Sequence, residues 1–182
     1  MPRSRFVFAA AALAAALAAS SCTGFLRQIS SDNRVDWEAT DQHFRFDSRD
    51  LTLQLPGAWE QDPADRVSFT GSYEYDISRV SADGFHLRLR AEVRGGNATS
   101  CATGLGESLP RQGWRVAPRF DEVTIAGRTG SRVSASKQDT TLHAYCFRSD
   151  QAAMVYLLVS GASELVTPES SSQLLAASLI WK

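Results

Sequence analysis

Imidazole titrates near neutrality and ligates divalent metals, so His43, His86 and His143 are the first residues to weigh for acid–base or metal chemistry. Their spacing does not gather them. Each falls in a separate strand-like stretch, with no HExxH and no pair at i, i+4. They read as dispersed surface or edge residues, which leaves no catalytic set, no metal site and no cofactor. A GxSxG elbow, a Walker loop and a GxGxxG are also missing; Gly104-Leu105-Gly106 is too short a fragment to count. Asp41, Asp47 and Asp50 beside His43 have the residue types of an ion site, but not the spacing of a calcium loop. They read as a solvated, acidic approach to a strand. Asn97-Ala98-Thr99 fits a glycosylation sequon and reads as a turn before a helix. One polar set remains. His86, Arg88 and Arg90 alternate along one strand face, and arginine pairs bidentately with carboxylate or phosphate, so this face is a candidate contact for an anion or a partner. The same pattern also fits a solvated face paired with acidic neighbours.

The cysteines carry a different chemistry. Arg3 and Arg5 open the chain, residues 6 to 19 hold no polar side chain, and Ser20-Ser21-Cys22 follows. A basic start, a short apolar run and small residues before a cleavage point make a secretory signal over residues 1 to 21. The run is shorter than the roughly 20 residues that span a bilayer. Ala19-Ser20-Ser21-Cys22 resembles a bacterial lipobox, departing from it at Ala19, where leucine is usual. Lipidation of Cys22 is the resulting expectation, with attachment to the membrane through that lipid. Cys101 and Cys146 are then the remaining pair in an oxidising compartment, and a disulfide between them is expected. Closing its loop of about 44 residues stabilises the fold by roughly 4 kcal/mol in the chain-entropy picture.

The whole sequence has 19 basic and 20 acidic residues, and losing Arg3 and Arg5 leaves 17 against 20, a net charge of about −3. Nucleic acid binding calls for a clustered basic surface and is not expected. Lys137 and Lys182 are the only lysines, so no polybasic stretch for anionic lipid exists either.

The elements that must hold these side chains follow from periodicity. Residues 22 to 42 are polar, carry Asp32, Asp36, Glu38 and Asp41, and read as the lipidated cysteine with a flexible tether. Trp37, the odd residue there, is expected to pack back onto the domain. From residue 43 to 182 the chain reads as one globular domain. Phe44 and Phe46, then Leu51, Leu53 and Leu55, then Tyr73, Tyr75 and Ile77 alternate at a period of two. Phe85, Leu87, Leu89, Ala91 and Val93 do so most cleanly, giving a strand with one wet face. Residues 98 to 109 read as a helix with Cys101, Leu105 and Leu109 on one side, although Gly104 and Gly106 cost up to about 1 kcal/mol each. Residues 123 to 159 read as an antiparallel meander, with 153 to 159 a central strand covered on both faces. Thr167, Pro168 and Glu169 mark the start of a final helix, continued by an apolar stripe of Leu174, Leu175 and Leu179.

Several of these features together resemble the PsbP/DcrB-like superfamily. They are the strand ending in Pro56-Gly57-Ala58-Trp59, the helix leaving through Gly113-Trp114, the "IAGRTGSRV" strand pair, the meander, and a terminal helix ending "LLAASLIW". The resemblance implies an α+β domain with an antiparallel sheet between helical layers, in which Trp59 turns back to cap the core edge. It also implies a binding or assembly role, since the family shares no catalytic residues. The photosynthetic members lack the lipobox and cysteine pair seen here, so their role does not transfer. The expectation is a non-enzymatic, lipid-anchored cell-envelope protein with a protein partner. An immunity or inhibitor lipoprotein, neutralising an envelope-targeting toxin or hydrolase, is the alternative. Thr23 after Cys22 points to the outer membrane, facing the periplasm.

Overall fold

The structure is a computed structural model that describes residues 26–29, 35–62, 73–92, 96–151 and 153–182. Thirteen strands and two helices follow one another along these residues. The first part holds β1 (Leu26–Ile29), β2 (Val35–Ala39), β3 (His43–Ser48), β4 (Leu51–Pro56), β5 (Trp59–Gln61), β6 (Tyr73–Ser81) and β7 (His86–Glu92). Then come α1 (Ala98–Arg111), β8 (Arg115–Val116), β9 (Asp121–Ile125), β10 (Arg128–Lys137), β11 (Thr140–Arg148), β12 (Met154–Ala162), α2 (Pro168–Ser178) and β13 (Leu179–Trp181). They form two sheets with antiparallel pairings. The small one runs β1-β2-β3-β4-β13, and the large one β5-β6-β7-β12-β11-β10-β8 with β9 also on β10.

Alternation along the large sheet supplies two cores. Leu87, Leu89 and Ala91 of β7, Tyr145 and Phe147 of β11, and Val155, Leu157 and Val159 of β12 face Phe44, Phe46, Leu51, Leu53 and Leu55 of the small sheet. Leu175 of α2 joins the same cluster. The opposite face, with Leu142, Ala144, Cys146, Met154 and Leu158, packs under Cys101, Ala102, Leu105 and Leu109 of α1. The expected helices do lie on both faces, but α2 shares its layer with a second sheet. Residues 153 to 159 form the covered central strand that their apolar run implies, since β12 lies between β7 and β11.

Three expectations need correction. The segment expected as a tether is not loose over its described part: β1 pairs with β2 and β2 with β3, in register Trp37↔Phe46. Polar residues suffice there because the outer strands of a sheet are held by ladder hydrogen bonds and need bury only one face. Trp37 does pack back, partly buried against the main core. The final helix is shorter than its apolar stripe, because α2 ends at Ser178 and Leu179–Trp181 turns into β13, pairing Leu179↔Leu53 and Trp181↔Leu51. Its start is as expected: Thr167 caps it, with Pro168 in the first turn. Lastly, His143 is no surface residue. It is 2% exposed in the middle of β11.

The turn after β4 has a clear task. Gly57 takes φ +79, a left-handed conformation that costs a side chain free energy, and its N–H donates to the carbonyl of Gln42. The chain thereby leaves the small sheet and starts the large one at Trp59. That indole is 6% exposed and donates from Nε1 to the Pro56 carbonyl at 3.1 Å, capping the edge of the core.

Candidate functional site

Cys22 lies outside the described residues. Cys101 and Cys146 form the expected disulfide, with Cα atoms 6.1 Å apart, tying α1 to β11.

His86, Arg88 and Arg90 share one face of β7, as the alternation requires, but that face is not simply wet. Arg88 donates from Nε and Nη2 to both carboxylate oxygens of Asp76 at 2.8 Å, and Arg90 adds a bond from Nη2 at 2.6 Å. Burial pushes the Asp76 carboxyl up, yet the bonds from Arg88 and Arg90 prevail and hold it below its usual value. Arg90 is 4% exposed and lies with its guanidinium carbon 4.0 Å from the centre of the Tyr73 ring. Beside it the Tyr156 hydroxyl donates to Glu92 at 2.9 Å. Nδ1 of His86 stands 2.6 Å from Asp62. The face is covered because β6 brings Asp76 and Tyr73 across it. An external anion here has to compete with Asp76, which already uses Arg88 in the bidentate manner.

The acidic group near the start of the domain is dispersed. Asp47 is bound by Lys182 and Thr52, Asp50 is fully buried, and Asp41 is exposed. His43 approaches Glu38 at 3.6 Å. Among the described residues no three His, Cys, Asp or Glu side chains converge as metal ligands. Asn97 caps α1 through Ser100, so its role is the turn expected for it.

His143 is the buried histidine. Its Nδ1 is 3.0 Å from the Ser134 hydroxyl on β10, and Nε2 is buried without a partner. Burial, then the charge of Arg132, push its pKa down to about 4, so the ring is neutral at neutral pH.

A feature absent from the sequence reading lies where the two sheets part. Trp37, Ala39, Thr40 and Asp41 on one side and Ala58 to Gln61 on the other line a cleft of about 260 Å³, with Arg79 of β6 among its walls. Arg79 is 7% exposed. Its guanidinium carbon sits 4.7 Å from the centre of the Trp37 ring and 4.8 Å from that of Phe44, so aromatic faces flank the cation. Nη1 donates to the Ser78 carbonyl at 3.1 Å, while the buried Nε has no partner. No described carboxylate forms an ion pair with it. Burial shifts its pKa downward, since a desolvated cation is disfavoured. The signal was available in the sequence. Tyr75, Ile77 and Arg79 continue one period of two, so an arginine stands at an inward position of the alternation.

This arrangement can bind and orient a group that approaches Arg79. The fold is similar to that of cyanobacterial PsbP (CyanoP) from Synechocystis sp. PCC 6803: its solution structure matches with a TM-score of 0.51 and 10% identity, over 90% of this chain and 96% of that one. No family model matches the sequence, and no curated protein does. A likeness at that identity speaks to the fold alone. The two antiparallel sheets and the helices on opposite faces of the larger one give this chain a PsbP-like fold.

Proposed function

We propose that the protein is a lipid-anchored component of the bacterial cell envelope that works by binding rather than by catalysis. The observation that carries the binding role is the cleft between the sheets, with Arg79 desolvated, flanked by aromatic rings and unpaired with any described carboxylate. A buried charge without its counter-ion costs stability, so such a residue is retained where a ligand supplies the missing charge. The envelope address rests on the basic, apolar and small-residue order of residues 1 to 21 and on Cys22 after it. The lipid on Cys22 holds the domain at the outer membrane on its periplasmic side.

The test uses the full chain in a bacterial host, labelled with a clickable palmitate and cross-linked in cells before purification. The expected results are lipid label lost on Cys22→Ala and a stoichiometric cross-linked partner in the wild type. A wall hydrolase or toxin as that partner would make inhibition the specific role. Absence of label would overturn the anchoring. Absence of any partner or small ligand would overturn the binding role.

A further inference from the structure

The cleft also carries information about what fills it, and the inference drawn from it rests on the binding role just proposed. The cation is fixed at one end. The ring of Trp37 and that of Phe44 flank the guanidinium of Arg79, and the Ser78 carbonyl takes Nη1. What remains of the fork is Nε and Nη2. Nε is closed to solvent and has no partner, so Nη2, which donates to no described residue, is the donor left for a ligand. A carboxylate that reaches it gains a charge-assisted hydrogen bond to the cation.

The rest of the lining limits the charge and the body of the ligand. Asp41 and Glu60 stand exposed at the rim, so a doubly charged phosphate would meet two repulsive carboxylates where a single negative charge meets less. Trp37, Ala39, Ala58 and Trp59 offer apolar surface beside the cation. A volume of about 260 Å³ admits a small organic molecule and falls below the usual span of drug-sized pockets.

We infer that the cleft between the two sheets is a binding site for a small organic monocarboxylate, with the carboxylate on Nη2 of the Arg79 guanidinium and an aromatic or apolar body against Trp37 and Trp59. The Trp37 indole is both wall and stacking partner of the cation, so occupancy alters its surroundings.

The full chain, purified in detergent, is titrated with 3-phenylpropionate while tryptophan fluorescence and heat are followed. Three companion probes are 3-phenylpropionamide, inorganic phosphate, and a tetrapeptide ending in phenylalanine with its terminus free. The acid is expected to bind saturably, with the amide and phosphate at least about tenfold weaker, the amide because it lacks the charge and phosphate because it carries two. Arg79→Met is expected to abolish the preference for acid over amide. It should keep the fold and raise Tm by about 2–5 °C, since an unpaired buried cation has been replaced by an apolar chain. Arg79→Lys keeps charge without the fork and is expected to weaken the acid about fivefold or more. Equal binding of acid and amide, no saturable binding of the acid, or full acid binding by Arg79→Met would each overturn the site. Tighter binding of the free-ended tetrapeptide than of the acid would overturn the small-molecule occupant in favour of a protein terminus. The cross-linked partner separates the two readings: its capture by both wild type and Arg79→Met would leave the binding role standing without this cleft.

Discussion

Single residues carry the two least predictable features of this molecule, and both are charged or titratable groups set at inward positions. Arg79 is inward by plain alternation after Tyr75 and Ile77, which was readable, but its stacking partners Trp37 and Phe44 come from strands of the other sheet, and nothing local announces them. His143 is the converse case. Its neighbours in sequence, Leu142 and Ala144, face α1, whereas its own side of the sheet lies against Arg132, Asp121 and Ser134 from adjacent strands. A polar ring between apolar residues looked like the wet side of a strand, yet it is 2% exposed there. The pH dependence follows from the depressed pKa. The unfolded chain takes up a proton near pH 6.5, and the folded chain does so only near pH 4. Between those values the unfolded state holds more protons, so stability rises with pH across that window and is lost on acidification through it. The loss should reach up to about 3 kcal/mol by pH 4. Urea unfolding of the wild type at steps from pH 4 to 7.5 should show this slope, and His143→Gln should flatten it. Equal slopes in the two proteins would place the titration elsewhere.

At the scale of elements, the start of α2 was legible and its end was not. Thr167, Pro168 and Glu169 act within one turn, and their signal needs no distant partner. The end of α2 depends on Leu51 to Leu53, more than a hundred residues earlier, which offer an open ladder edge that Leu179 to Trp181 fill. A helical stripe and a terminal strand look alike over so few apolar residues. Removing residues 179–182 takes away that strand, the bond from the Trp181 indole to the Ile125 carbonyl at 3.1 Å, and the Lys182 contact with Asp47 at 2.6 Å. It also uncovers the core side of Leu53. A cost of about 3 kcal/mol or more is expected from the apolar area alone, read as a lowered Tm in a thermal melt. The hinge between the sheets makes a second prediction. A Cβ at Gly57 would meet no atom within 4 Å, so Gly57→Ala isolates the cost of the left-handed backbone. It should be about 1–2 kcal/mol in urea unfolding, with Gly57→Asn costing less. Similar losses for alanine and asparagine would mean that the backbone conformation is not what glycine supplies.

For the whole molecule, the class of the fold was legible because its markers are short and local: the Pro56-Gly57 stop, the Gly113-Trp114 exit, the meander turns. The second sheet was not, since β1 and β2 bear polar sequences whose strand state comes from pairing rather than pattern. The disulfide couples the outer helix to the large sheet, and Cys101→Ala with Cys146→Ala should lower stability by about 2–4 kcal/mol. A chemical melt of the double variant against the oxidised wild type measures it; no change would assign the coupling of α1 to apolar packing alone. The N-terminal strands also set a distance. Had ordered structure begun only at His43, 21 residues of leash would let the domain roam about 70 Å from an anchor at Cys22. With β1 starting at Leu26, the span from Cys22 is four residues, about 14 Å at full extension. On the proposed lipidation the domain is then moored against its own bilayer, with the β1 side of the small sheet nearest the lipid. Whatever it meets must come to that surface.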